Sequence, residues 1–116
     1  MLPANRKYLD SMIENAKNGT VAEGIVSVMP CAFSYYYIAH YAAKKAKEDN
    51  TLEGNYFRAW IDDYSGPLYQ AIYDSAYSLC NKVAEGISEE EKERLKEIFR
   101  EGSRHELAFW DMAFED

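Results

Sequence analysis

The chain is poor in cysteine and proline and lacks the short motifs that commonly mark a reaction class. It has two cysteines and three prolines in 116 residues. A glycine-rich phosphate loop, a nucleophile-elbow serine and a CxxC pair are all absent from the sequence. Any function therefore has to be argued from single residues, their spacing and the elements that carry them.

Positive charge is also scarce. The chain has 13 lysines and arginines against 20 aspartates and glutamates, which gives a net charge of −7. Such a balance repels a phosphate backbone, and the basic stretch 44–47 is typical of a solvated helix end. We expect no nucleic-acid partner.

Long apolar runs are missing as well. The least polar stretch, residues 31–43, contains two polar residues and is shorter than the ~20 residues that a membrane crossing needs. We read it as a buried helix and expect no membrane partner. Residues 1–7 lack the apolar core of a signal peptide, so we expect a cytoplasmic protein in which Cys31 and Cys80 are free thiols.

The pattern that is present has the period of a helix. Nothing alternates with period two over a useful length, and the length suits one core, so we predict an all-α fold with residues 1–116 as a single helical unit. Three apolar stripes support this prediction: Leu9, Met12, Ile13 and Ala16; Leu68, Ile72, Ala76, Leu79 and Val83; and Leu95, Phe99, Gly102, Glu106, Phe109 and Ala113.

Capping signals divide these helices. Thr20 with Glu23, and Ser88 with Glu91, have the spacing of capping boxes and predict helix starts. Pro30 falls inside the second helix, where a proline removes one backbone hydrogen bond and clashes with the preceding turn. We therefore expect a kink or a break at Pro30.

Glu106 occupies a position in the last stripe where an apolar residue is expected. Burying a carboxylate costs several kcal/mol unless it is paired or protonated. Glu106 is either a functional acid or a structural acid paired with a neighbour such as Arg104 or with a tyrosine hydroxyl from a facing helix. The periodicity alone leaves both readings open.

Cys31 follows Pro30 directly, and Tyr35 lies one helical turn later on the same face. If Pro30 restarts the helix, the helix dipole would favour the thiolate of Cys31, whereas burial among aromatic residues would oppose it. The sign of the pKa shift is open at this point. The simplest alternative is that Cys31, like Cys80, is a small core residue.

A metal site was weighed against these readings. Glu101 and His105 are four residues apart and Glu106 adjoins them, but carboxylate-bridged metal sites in helical bundles repeat such ligands on several helices. Only one such cluster occurs, so we expect neither a metal nor a cofactor. Tyr8 and Tyr64 either supply pocket hydroxyls or straddle core and surface.

Four segments taken together, residues 2–8, 29–35, 60–64 and 106–114, resemble in order and spacing the C-terminal half of the TenA family, also called thiaminase II. The resemblance implies an all-helical bundle, half of the fold that TenA proteins share with haem oxygenase. Members of that family typically form tetramers. They hydrolyse aminopyrimidines from thiamine breakdown, and more slowly thiamine, to hydroxymethylpyrimidine for salvage.

The resemblance also implies roles for five residues. Cys31 would be the nucleophile that adds to the pyrimidine ring and expels the amine, and Glu106 would bind the amino groups and shuttle protons. Tyr8, Tyr35 and Tyr64 match the family's pocket tyrosines, which orient the thiol, the ring or the acid.

Family members are about twice as long as these 116 residues, and their N-terminal half supplies an aspartate and a stacking aromatic that match no segment here. We therefore expect a homo-oligomer, or a heteromer with a separate N-terminal TenA-like half, acting on an aminopyrimidine or thiamine. The alternative is a non-catalytic helical module of the same fold that binds pyrimidine or serves structure and interaction.

Overall fold

The structure is a computed structural model and describes residues 1–115. Within that range the chain forms five helices and no strand, so the predicted all-α class is confirmed. The helices are α1 (Pro3–Asn18), α2 (Val21–Glu48), α3 (Arg58–Ser65), α4 (Pro67–Val83) and α5 (Glu89–Met112). None of these described helices combines the length and the apolar character that a membrane span requires.

Two compact units can be distinguished, and each is described separately. The first consists of Met1–Cys31 and the segment from Ser78 onward, and the second is Ala32–Tyr77. The first unit thus contains α1, the start of α2 and all of α5. The interpretation of residues 1–116 as one domain stays a prediction.

The predicted capping signals determine where α2 and α5 begin. The Glu23 backbone N–H donates to the Thr20 hydroxyl at 3.1 Å, and the Thr20 N–H donates to the Glu23 carboxylate at 2.6 Å, which confirms the first capping box. The Ser88 hydroxyl accepts from the Glu91 N–H at 3.1 Å. The Thr20 hydroxyl also donates to the Glu91 carboxylate at 3.3 Å, so the starts of α2 and α5 are joined.

An aliphatic core holds α2 and α5 together in the first unit. Val26 from α2 packs with Leu95 and Ile98 from α5, and Ile98 is only 2% exposed. Burying each such side chain contributes roughly 1.5–3 kcal/mol. Cys80 packs at the edge of this cluster, as the core reading of that residue predicted.

A break at Pro30, one of the two outcomes expected there, is wrong, whereas a kink stays a prediction. Helix α2 continues from Val21 to Glu48 with Pro30 inside it, so Cys31 lies in the helix interior and not in a first turn. The ring of Pro30 is fully buried and lies against Gly102 of α5. Tertiary packing of the ring offsets the ~3 kcal/mol that a proline costs a helix interior.

The predicted apolar stripes of α1 and α4 lie on the expected helices, but no member of either stripe is buried and most are exposed. Helix α4 has no buried residue, and Leu68 is 77% exposed. In α1 the buried residue is Tyr8, while Ile13 is exposed. The helical periodicity predicted both helices correctly. Within residues 1–115 it did not predict which of their side chains are buried.

Candidate active site

The two residues with the strongest sequence-based case meet in the first unit. Glu106, in the C-terminal part of α5, is 5% exposed, and Cys31 lies on α2. The Cys31 thiol lies close enough to the Glu106 carboxylate for charge and hydrogen bonding between them to affect the pKa of the thiol. The proposed partner Arg104 pairs instead with Glu97, at 3.2 Å. Glu106 is therefore a buried acid that faces a thiol.

This contact sets the electrostatics of the thiol. Partial burial raises the pKa of Cys31 above its ordinary value, and the negative charge of Glu106 and the hydrogen bond to it raise the pKa further. The opposing influence of a helix start does not apply, because Cys31 lies inside α2. The pKa of Cys31, whose direction of shift the sequence left open, is therefore raised. The resting thiol keeps its proton at neutral pH.

Tyr8 reaches the neighbourhood of this pair from α1, which packs along α5. Its ring is 6% exposed and stacks on the imidazole of His105, with ring centroids 5.5 Å apart and planes inclined by 16°. His105 precedes Glu106 in α5, and consecutive helical side chains point about 100° apart. Neighbouring residues of α5 thus face two different helices, His105 toward α1 and Glu106 toward α2.

Tyr35 and Tyr64 are brought together in the second unit. Their ring centroids are 5.2 Å apart, and Trp60 approaches both rings, at 6.0 Å from Tyr35 and 4.9 Å from Tyr64. Tyr69 adds a fourth ring, 4.8 Å from Tyr64, and its hydroxyl donates to the Ala32 carbonyl at 3.0 Å. Aromatic faces clustered in this way can accept a planar ligand.

A cleft of about 540 Å³ opens beside this cluster. Tyr64 and Tyr69 line it together with Asp62, Leu68 and Ile72, all in the second unit. A volume of this size lies in the range typical of small-molecule sites.

Three residues of these clusters were not singled out from the sequence: His105 as the partner of Tyr8, and Trp60 and Tyr69 as partners of Tyr64. Trp60 could have been found, because it lies one helical turn before Tyr64 on α3. His105 could not, since its contact with Tyr8 joins helices that are distant in the sequence. Tyr69 is only five residues after Tyr64, but the contact crosses the turn between α3 and α4, whose geometry the helical period does not give.

The described residues contain no group of three histidine, cysteine or acidic side chains that could hold a metal ion. Of the three residues considered as metal ligands from the sequence, His105 and Glu101 form a pair, with His105 Nε2 3.9 Å from the Glu101 carboxylate. Among the described residues, Cys31 and Cys80 do not form a disulfide with each other, and each carries a thiol.

Comparison with known proteins identifies the family of this chain. The profile of the TENA/THI-4/PQQC family matches residues 1–116. An aminopyrimidine aminohydrolase from Helicobacter pylori is 33% identical over 97% of this chain and 50% of its own length. Another from Halalkalibacterium halodurans is 30% identical over 94% of this chain and 47% of its own length.

A solved structure gives the same result. A TenA homologue from P. horikoshii OT3 superposes with a TM-score of 0.78 at 30% identity, over 97% of this chain and 49% of that chain. The chain spans about half the length of the curated relatives it matches. The family match over the whole sequence, the identities and the superposition agree, and the chain belongs to the TENA/THI-4/PQQC family.

Proposed function

We propose that the chain acts in thiamine pyrimidine salvage, as a hydrolase that converts an aminopyrimidine, or thiamine, to hydroxymethylpyrimidine. The observation that carries the proposal is the closeness of the Cys31 thiol to the buried carboxylate of Glu106. A nucleophile and a base within hydrogen-bond reach of each other form the basic unit of covalent catalysis. The names of the relatives, aminopyrimidine aminohydrolase, agree with this reaction class.

The first step is attack by sulfur. Because the pKa of Cys31 is raised, the proton stays on the thiol until a substrate is present. As the sulfur bonds to a carbon of the pyrimidine ring, the proton passes to the Glu106 carboxylate. Electron density pushed into the ring expels the amine from the exocyclic methylene group, and the proton held by Glu106 leaves with it as ammonia.

The second step is hydration. Water adds to the exposed methylene group and gives up a proton to Glu106, the carbon–sulfur bond breaks, and the proton returns to the thiol. The sum is aminomethylpyrimidine plus water giving hydroxymethylpyrimidine plus ammonia. The same carboxylate accepts and donates the proton in turn, which suits a single buried acid at the nucleophile.

The three tyrosines would bind the substrate. We assign Tyr35 and Tyr64 to contact with the planar ring, supported by the clustering of their rings, whose centroids are 5.2 Å apart. Tyr8, held against His105, would orient the substrate or the acid. Aromatic rings with hydroxyl groups provide both a flat apolar face and a hydrogen-bonding tip.

The active form would contain more than one polypeptide chain. We propose a homo-oligomer or a complex with an N-terminal TenA-like half, because the chain spans about half of its relatives and the apolar stripe of α4 is exposed. Holding the ring from more than one side supplies the positioning that efficient attack requires.

Product analysis tests the reaction. The purified chain is incubated with 4-amino-5-aminomethyl-2-methylpyrimidine or thiamine, alone and with the N-terminal half of the Helicobacter pylori relative, and hydroxymethylpyrimidine is measured by chromatography. In at least one mixture the proposal expects hydroxymethylpyrimidine with an equal amount of ammonia from the aminomethylpyrimidine, or with an equal amount of the released thiazole from thiamine. A folded chain that binds the pyrimidine yet forms no product in any mixture contradicts it and leaves a non-catalytic binding module.

A further inference from the structure

We propose that Gly102 and Pro30 form a spacing contact between α5 and α2 that sets the reach of Glu106 to Cys31. Gly102 is thereby a positioning residue for the thiol–acid pair. Its importance for turnover rests on the proposed function, but its effect on the thiol does not.

The contact leaves no room for a side chain on Gly102. A Cβ atom placed there would lie 2.5 Å from Cγ and 3.3 Å from Cβ of Pro30. Carbon atoms in contact normally lie about 3.5–4.0 Å apart, so one helix would have to move. The obstacle is rigid, because the Pro30 ring is fully buried and closed onto its own backbone.

Both members of the contact are unfavourable where they stand. Glycine in a helix interior costs about 1 kcal/mol relative to alanine, and proline about 3 kcal/mol. Gly102 lies inside the 24-residue helix α5, and Pro30 lies inside the 28-residue helix α2. Gly102 and Pro30 each destabilise their own helix, and they contact each other. The close approach of α5 to α2 explains why both residues occur at these positions.

The contact lies next to the reactive pair. Gly102 and Glu106 are four residues apart and share a face of α5, and both are buried. On the facing helix, Pro30 directly precedes Cys31. A shift of α5 away from Pro30 therefore also moves the Glu106 carboxylate away from the thiol, one turn along.

The test variant is Gly102→Ala, and the readout is the pH profile of iodoacetamide alkylation at Cys31, followed by mass spectrometry of the Cys31 peptide without substrate. Glu106 raises the pKa of the thiol, so separating the pair lowers that pKa and moves the profile to lower pH. A shift of half a pKa unit makes alkylation about threefold faster at pH 8. A merely structural loss of packing elsewhere would leave the profile in place.

Two further variants complete the design. In Pro30→Ala/Gly102→Ala the ring that the new methyl group meets is gone, and the profile returns toward that of the wild type. The matched control is Gly24→Ala in α2, where a Cβ atom would meet its nearest neighbour at an ordinary 3.4 Å. This control should leave the Cys31 profile unchanged.

Each outcome decides the proposal. A folded Gly102→Ala chain with an unchanged Cys31 profile overturns it, and so does a double variant that fails to recover the profile or to fold. If Gly102→Ala does not fold and the double variant does, the steric pairing is supported. A shifted profile in a chain without hydrolase activity would uphold the spacing contact while contradicting the proposed function.

Discussion

At the scale of single residues, the thiol and the acid define each other's chemistry. A buried carboxylate is costly without a partner, and the Cys31 thiol lies beside the buried carboxylate of Glu106. The same contact opposes ionisation of the thiol. The proposed nucleophile is therefore held in its protonated form beside the proposed base.

Replacing the acid separates these two effects. In Glu106→Gln the negative charge that raises the pKa of Cys31 is lost, so the thiol ionises at lower pH and is alkylated faster at pH 8. Burial, the larger cause, remains, so the shift is partial. Hydrolysis falls about 10²–10⁴-fold because the proton acceptor is lost. Alkylation profiles and steady-state rates check both effects.

The matched control for this variant is Glu101→Gln, an exposed acid on the same helix that faces His105. It should change neither the alkylation profile nor the rate by more than about twofold. Slower alkylation in Glu106→Gln at every pH would contradict the assigned contact between acid and thiol.

At the scale of elements, α5 organises the first unit by presenting neighbouring residues to different helices. The Glu106 carboxylate lies beside the Cys31 thiol on α2, and the His105 ring stacks on Tyr8 of α1. The capped start of α5 is joined to the start of α2 through Thr20. The helix is thus fixed at its beginning and again near the reactive pair.

The stack on Tyr8 has a measurable contribution. We expect His105→Ala to lower the free energy of unfolding by about 0.5–1.5 kcal/mol through loss of the ring contact, whereas His105→Phe retains most of it. Urea unfolding of the two variants makes the comparison. Arg104→Ala serves as control, since its exposed ion pair with Glu97 is worth about 0–1 kcal/mol. Equal losses in His105→Ala and His105→Phe would show that ring stacking is not the cause.

The same scale shows what the sequence could determine. Helix positions followed from period and capping because both are local properties. Of the kink or break expected at Pro30, the break does not occur, and the ring packs instead against Gly102, which is far along the chain. The periodicity of α5 identified Glu106 as a charged residue in an apolar stripe. It could not identify Cys31 as the neighbour of Glu106, because the periodicity of one helix does not show which helix faces it.

At the scale of the whole molecule, apolar surface remains uncovered. Leu68 and Ile72 on α4 are both exposed, and the sequence could predict their stripe but not what covers it. The matched relatives are about twice as long. Exposed apolar stripes of this kind commonly mark interfaces.

Association is therefore expected in solution. Sedimentation of the purified chain should show an assembly larger than the 13.4 kDa monomer, and Leu68→Glu/Ile72→Glu should shift it toward smaller species. The control Asn81→Glu places one negative charge, against two in the double variant, at an exposed position on the opposite side of α4. Unchanged assembly in the double variant would exclude this stripe from the interface.

If Cys31 is the nucleophile, ammonia release from 4-amino-5-aminomethyl-2-methylpyrimidine must depend on Cys31 and not on Cys80, which paired cysteine variants test. The assay is run in the mixture that gives the highest wild-type rate. We predict that Cys31→Ala loses about 10³-fold or more in kcat/KM, while Cys80→Ala, which alters a thiol at the edge of the core, stays within about threefold of wild type. Turnover that survives in Cys31→Ala, or falls equally in both variants, would contradict the assignment.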